Sequence, residues 1–350
     1  MQMNNIERIE ILAREGILPD EELYSLIQTI RPEECEELFA AARAVREKYY
    51  GRGVYIRGLI EFTNICRNDC LYCGIRKSNR KAERYRLTPE EILSCALEGY
   101  RLGFRTFVLQ GGEDAWFTRE RLAEIVRAIK SRYPDCAVTL SVGERDRADY
   151  ESWFEAGANR YLLRHETADE EHYALLHPAG MSLRSRMQCL LNLREIGYQV
   201  GAGFMVGSPG QTVSHLLTDL TYLRQLQPHM IGIGPFLSHR DTPFAGEPNG
   251  SSERTLVLLA IVRLMFPKAL LPATTALGTA TEDGRQKGLL AGANVLMPNL
   301  SPPGVRKKYG LYDNKAYTGV ESAQCLESLR RLVESTGYHI EEGRGDYCGT

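Results

Sequence analysis

Three cysteines, Cys66, Cys70 and Cys73, stand within eight residues in the stretch EFTNICRNDCLYCG. Thiolates at this C-x3-C-x2-C spacing can wrap one face of an iron–sulfur cubane, holding three of its irons and leaving the fourth open to an outside ligand. A structural zinc ion would ask for a fourth protein ligand close by. No His or Cys follows within twenty residues, and the next cysteine, Cys95, falls inside a predicted helix. Cys95, Cys136 and Cys189 sit in apolar patterns and read as small buried hydrophobes.

Further polar groups fall at the ends of predicted strands. In Gln110-Gly111-Gly112-Glu113 the glycines let backbone approach a ligand and Glu113 accepts hydrogen bonds, although GGE is also an ordinary turn. In Arg160-Tyr-Leu-Leu-Arg164-His165-Glu166 the two arginines and Glu166 share parity, which sends them to one side of a strand and its extension. Charges inside a barrel need partners or ligands, so a buried salt-bridge network is the plain alternative. Thr139 and Ser141 close a third strand, Thr274 and Thr275 a seventh and Met297 an eighth. Hydroxyls there serve either the local backbone or a small anionic or metal-bound substrate. The segment GFMVGSPGQT, residues 203–212, lacks the Lys of a phosphate loop and the acidic ribose partner of a dinucleotide site. The seven His show no metal spacing.

The elements that must position these groups alternate. Apolar or β-branched runs at 54–62, 106–110, 137–141, 160–163, 199–204, 230–234, 270–274 and 294–297 read as strands. Intervening segments such as 88–103, 118–133, 182–197 and 212–226 have helix length and open on Thr88, Thr118, Ser182 and Thr212 as N-caps. Eight such units over residues 53–300 fit an α/β fold, a (β/α)8 TIM-type barrel of the usual ~250 residues, with a doubly wound sheet as the alternative. Active sites of that barrel form at the carboxyl ends of strands, where the cysteine loop falls. Residues 1–52 read as an N-terminal helical extension, with Asp20 opening one helix and Pro32 another that runs to Tyr50. Residues 301–350 read as a C-terminal extension packing on the barrel, and its glycine-rich end, GRGDYCGT, is expected to be mobile.

Composition narrows the function. The 350 residues are 43% hydrophobic and 25% charged, and 43 Lys and Arg against 45 Asp and Glu leave a net charge of -2. No overall field gathers nucleic acid or an anionic membrane. The longest apolar run, 256–262, falls short of the ~18 residues of a spanning helix. The opening MQMNNIERIE has no signal-peptide core, so a cytoplasmic protein with reduced cysteines is expected.

The cysteine spacing, with aromatic Tyr72 before the last Cys on the loop after the first strand, resembles the radical S-adenosylmethionine (SAM) superfamily. Segments RYRLTPEEI, VLQGGED, RYLLRHET, GYQVGAG, VGSPGQT, GIGPF, LPATTALGT and GANVLMPN are similar to FeFe-hydrogenase maturation proteins of the HydE type, over about residues 35–312. Biotin synthase and methylornithine synthase are related by pattern. The resemblance implies one 4Fe-4S cluster on Cys66, Cys70 and Cys73, whose open iron binds the amino and carboxylate groups of SAM. When reduced, that cluster cleaves the sulfonium to methionine and a 5'-deoxyadenosyl radical.

The resemblance further implies that Gly111, Gly112 and Glu113 hold the SAM amino group, Glu166 the ribose hydroxyls, and Arg186 the SAM carboxylate, with Tyr72, Met205 and Met297 as further cofactor contacts. Gln110, Thr139, Arg160, Arg164, Thr274, Thr275 and Tyr309 would line the substrate side. The implied reaction is attack of the radical at the sulfur of a small cysteine-derived iron carbonyl cyanide complex. Implied partners are an external electron donor and other hydrogenase maturation proteins, with no nucleic acid or membrane. A methylornithine-type rearrangement, a biotin-type sulfur insertion, and a non-enzymatic iron–sulfur carrier or zinc module are the alternatives. Some relatives carry a second cluster on three cysteines after the eighth strand. Here KAYTGVESAQCLES puts Tyr317, Cys325 and Ser328 at those positions, and two oxygens suit a soft cluster iron poorly. No second cluster is expected.

Overall fold

The computed structural model describes residues 3–317 and 321–349. Helices Asn5–Glu15, Asp20–Thr29 and Pro32–Tyr50 lead the chain. The second buries Leu23, Leu26 and Ile27 along one stripe, the spacing the sequence prescribes for a helix with one apolar face.

The strands follow in chain order as β1 (Gly53–Ile56), β2 (Gly58–Thr63), β3 (Thr106–Gly111), β4 (Ala137–Ser141), β5 (Arg160–Leu162) and β6 (Gln199–Ala202). They continue as β7 (Met205–Val206), β8 (Met230–Ile231), β9 (Gly234–Pro235), β10 (Val295–Leu296) and β11 (His339–Glu341). A parallel six-stranded sheet runs β2-β3-β4-β5-β6-β8; β10-β1-β11 and β7-β9 form smaller sheets. Bridges Met230–Leu270, Pro272–Val295 and Leu59–Asn299 carry the circuit from β8 back to β2. The chain is thus an α/β barrel of the TIM type.

Two expectations need correction. The predicted strand 54–62 breaks at Arg57 into β1 and β2, and 270–274 contributes isolated bridges rather than a strand, because Pro272 has no amide hydrogen to give a ladder. The predicted helices form as Pro89–Arg101, Arg119–Arg132, Leu183–Ile196 and Val213–Leu226. In each, the expected Thr or Ser side chain accepts the N3 amide.

The glycine-rich tail is also corrected, because it packs across the amino-terminal mouth of the barrel. The Arg344 carbonyl accepts from Thr106 Oγ1 at 2.7 Å, and the Gly345 carbonyl from Arg57 Nη2 at 3.3 Å. Asp346 pairs with Arg160 at 2.6 Å, and the Tyr347 ring meets His229 edge-on. Polar bonds to fully buried partners hold a segment whose composition alone predicts freedom.

Candidate active site

The loop after β2 carries Cys66, Cys70 and Cys73, each partly exposed, whereas Cys95, Cys136 and Cys189 are buried. Gly112 lies under this loop: a Cβ there would stand 2.3 Å from the Ile65 carbonyl oxygen and 2.8 Å from Cys66 Cβ, so only glycine permits the approach. The Glu113 amide points at Cys66 Sγ at 3.4 Å, and Met181 Sδ lies 3.8 Å from Cys70 Sγ. Burial pushes the Cys70 thiol up to about 12 against the opposing charge of Arg186, and raises Cys66 and Cys73 as well.

Tyr72 is anchored from below. His177 Nδ1 faces the Tyr173 carbonyl at 2.9 Å, so it carries the proton, and Nε2 accepts the Tyr72 hydroxyl at 3.2 Å. Burial, with help from the Arg186 charge, pushes His177 down to about 3 and keeps the ring neutral. Met205 and Phe236 pack in the same cluster as the Tyr72 ring.

Across from the cysteines, Glu166 sits at φ 68, a left-handed conformation that costs a non-glycine residue roughly 1–2 kcal/mol. Its amide bonds the Gly203 carbonyl and its carbonyl accepts the Met205 amide. Arg164 Nη2 and Glu166 Oε2 stand 2.9 Å apart but misaligned, so both atoms stay buried without a hydrogen-bond partner. Arg186 Nε donates to Glu144 at 2.7 Å and its Nη1 to the Arg164 carbonyl at 2.6 Å, fixing a cation whose field reaches Cys70 and Tyr72.

The other expected site residues divide. Gln110 Nε2 reaches the Tyr309 hydroxyl at 3.5 Å, over the carboxyl end of β3. The Glu113 carboxylate is occupied on both oxygens, by Arg67 Nε at 2.9 Å and the Glu144 amide at 2.8 Å. Gly143, at φ +75, makes room for it: a Cβ there would meet Glu113 Oε1 at 2.2 Å. What lies against the cysteine loop is therefore the backbone of 111–113. Met297 packs with Met230, Leu270 and Val295, a cluster separate from Met205. Thr274 caps the helix Thr275–Ala280 through the Leu277 amide, and Thr275 Oγ1 is tied to Arg285 and Glu321.

Arg160 corrects the parity argument. It starts β5 and bonds Thr106, Gln199, the Arg344 carbonyl and Asp346, so its guanidinium belongs to the amino-terminal mouth rather than to the end where Arg164 and Glu166 meet. Thr139 lies mid-barrel with its buried hydroxyl unpartnered, lining a cavity of about 10 Å³ beside Arg57 and Met230.

Sequence reasoning missed several partners. Lys315 pairs with buried Glu61 and donates to the Tyr309 carbonyl, closing the C-terminal segment over the strand ends. Asp219 Oδ1 lies 3.3 Å from His165 Nε2 and accepts the Ala168 amide at 2.6 Å, buttressing the turn that carries Glu166. These partners are far apart in sequence, and no local signal marks them.

Residues 60–223 match the radical SAM superfamily. The chain belongs to that superfamily and is a radical SAM enzyme. Within it, the chain is 46% identical over 302 residues to the [FeFe] hydrogenase maturase subunit HydE of Thermotoga maritima, covering 86% of each protein. It is 33% identical over 342 residues to the 3-methylornithine synthase of Methanosarcina acetivorans, covering 96% of this chain and 95% of that one. The crystal structure of methylornithine synthase (PylB) superposes with a TM-score of 0.84 at 29% identity, over 95% of this chain and 97% of that one. The FeFe-hydrogenase maturase HydG of Carboxydothermus hydrogenoformans superposes at 0.79 and 21% identity, over 95% and 78%, a likeness of fold alone.

The superfamily implies a 4Fe-4S cluster and SAM, and the residues present fit both. Among the described residues no three His, Cys, Asp or Glu side chains converge as ligands of a single ion. A cubane instead needs thiolates spread around a larger body, which the wrapping loop offers. The unpartnered charged atoms of Arg164 and Glu166 are what a polar cofactor would satisfy.

Proposed function

We propose that this chain is a maturase of FeFe-hydrogenase that directs a 5'-deoxyadenosyl radical to the sulfur of a small cysteine-derived iron carbonyl cyanide complex. The observation that carries the reading is the 46% identity to the HydE maturase over 86% of both proteins. The cluster and SAM, when bound, supply the radical. The chain supplies placement: Cys66, Cys70 and Cys73 hold the cluster, Glu166 accepts two ribose hydroxyls, Arg186 faces the SAM carboxylate, and the backbone at Gly111, Gly112 and Glu113 receives the amino group. Tyr72, Met205 and Met297 complete the cofactor contacts. Arg164, Gln110 and Tyr309 stand on the substrate side, with Thr139 deeper in the barrel. Lys315 on Glu61 closes the C-terminal segment over the strand ends, which keeps water from a reactive radical. Location in the cytoplasm, an external one-electron donor and contact with other maturation proteins belong to the same reading; among the described residues no helix is long and apolar enough to cross a membrane.

A methylornithine-type rearrangement is the second reading, favoured by the 0.84 superposition and by 33% identity across 96% of the chain. One anaerobic assay separates them. Supplied with dithionite, SAM and in turn the iron cysteine complex and lysine, the enzyme should consume SAM together with the iron complex. Consumption coupled to lysine instead would establish the second reading.

A further inference from the structure

The chain carries a net charge of -2, yet residues 75–86, directly after the cysteine loop, hold six cationic side chains and one carboxylate. This segment is fastened to the cysteine loop itself. The Arg76 amide donates to the Cys73 carbonyl at 3.1 Å and the Lys77 amide to the Asn68 carbonyl at 2.8 Å. The Arg84 guanidinium donates to the carbonyls of Asn64, Ile75, Arg76 and Asn79, and no carboxylate among the described residues pairs with it. Arg76, Lys81 and Arg86 have carboxylate partners in Asp69, Asp241 and Asp114. Lys77 and Arg80 are exposed and form no ion pair among the described residues. Exposed Lys307 extends the patch, next to Lys308, which reaches Glu83 at 2.5 Å.

We propose that this cationic face docks an acidic one-electron carrier protein, which delivers the electron that reductive SAM cleavage requires. The inference rests on reading Cys66, Cys70 and Cys73 as cluster ligands. One electron leaves the reduced carrier and enters the oxidised cluster; no bond forms or breaks and no proton moves. Position and charge agree: the patch lies four residues from Cys73 along a hydrogen-bonded loop, and it concentrates positive charge on an otherwise slightly acidic molecule, which attracts an acidic partner to this face. Nucleic acid fits less well, because Tyr85, the segment's aromatic residue, is half-buried with its hydroxyl on the Glu61 carbonyl and offers no stacking platform.

The test compares deoxyadenosine release by the cluster-loaded enzyme with two reductants, dithionite and a reduced acidic flavodoxin, for wild type, K77E/R80E, the milder K77Q/R80Q, and a control R127E/R132E on the exposed face of Arg119–Arg132. With flavodoxin at low salt, K77E/R80E should be slower by about tenfold or more and K77Q/R80Q by less, the control should match wild type, and raising the salt should shrink the difference. With dithionite all four should agree. Equal flavodoxin rates in every variant would overturn the proposal. So would a loss with both reductants at full iron content, which would put these side chains in the chemistry of the cluster. Retention of RNA that vanishes in K77E/R80E while flavodoxin-driven turnover is unchanged would reassign the patch. No SAM cleavage by wild type with dithionite would instead sink the enzymatic reading itself.

Discussion

Cys66, Cys70 and Cys73 differ from the buried cysteines in a physical way: they lie on a loop, partly exposed, and no packed core depends on them. Replacing all three by Ala should therefore leave a folded barrel by circular dichroism, devoid of cluster iron and of deoxyadenosine formation. A variant that still binds the cluster and cleaves SAM would refute their role. Glu166 and Arg186 test the cofactor contacts. An Ala at Glu166 removes an acceptor for two hydroxyls, and an Ala at Arg186 removes a fixed cation. Each should weaken SAM binding by about 1–3 kcal/mol in calorimetry, and unchanged affinity in both variants would show the contacts to be misassigned.

At the scale of elements, the tail after β11 behaves as a stopper bonded to the barrel's amino-terminal end. Burial pushes the Asp346 carboxyl up, but the bond and charge of Arg160 outweigh it and hold it below its ordinary value. A depressed carboxyl stabilises the fold above its unfolded value of ~3.9, and the contribution fades as pH falls through the lower folded value. Asp346→Asn should thus be less stable than wild type at pH 7, by about 1 kcal/mol or less, the range of a solvent-screened pair. That is less than a fully buried pair would lose, because Asp346 keeps contact with water. The gap should close in acid; a gap constant from pH 7 to pH 3 would mean that the ion pair with Arg160 contributes nothing.

For the molecule as a whole, the expectation is that function rests on one iron site. Tyr317 is exposed, Cys325 precedes the helix Leu326–Glu334, Ser328 lies on its exposed side and Cys348 is exposed in the tail. Two isolated cysteines cannot supply the usual four ligands of a second cluster. Reconstituted protein should hold about four irons per chain. A further iron–sulfur spectrum persisting in the Cys66, Cys70, Cys73 triple variant would contradict this.

Local spacing determined a good part of this protein. Period-2 and period-3.6 apolar patterns, with caps at Thr88, Thr118, Ser182 and Thr212, wrote the alternation of strand and helix, and three cysteines on one loop pointed to an iron–sulfur cluster without any long-range contact. Glycines at 111 and 112 signalled a close approach, though not that the Glu113 side chain would be taken by Arg67 and the Glu144 amide. Tertiary structure decided the rest, because it depends on which end of a strand a side chain reaches and on partners remote in sequence. Parity put Arg160 with Arg164, but two turns of the pleat separate them along the strand, and Asp346 claims the first at the opposite mouth. Charge counting left Glu61 and Glu321 anonymous; only closure of the barrel brought them to Lys315 and Arg285, where burial makes an unpaired charge too costly to leave.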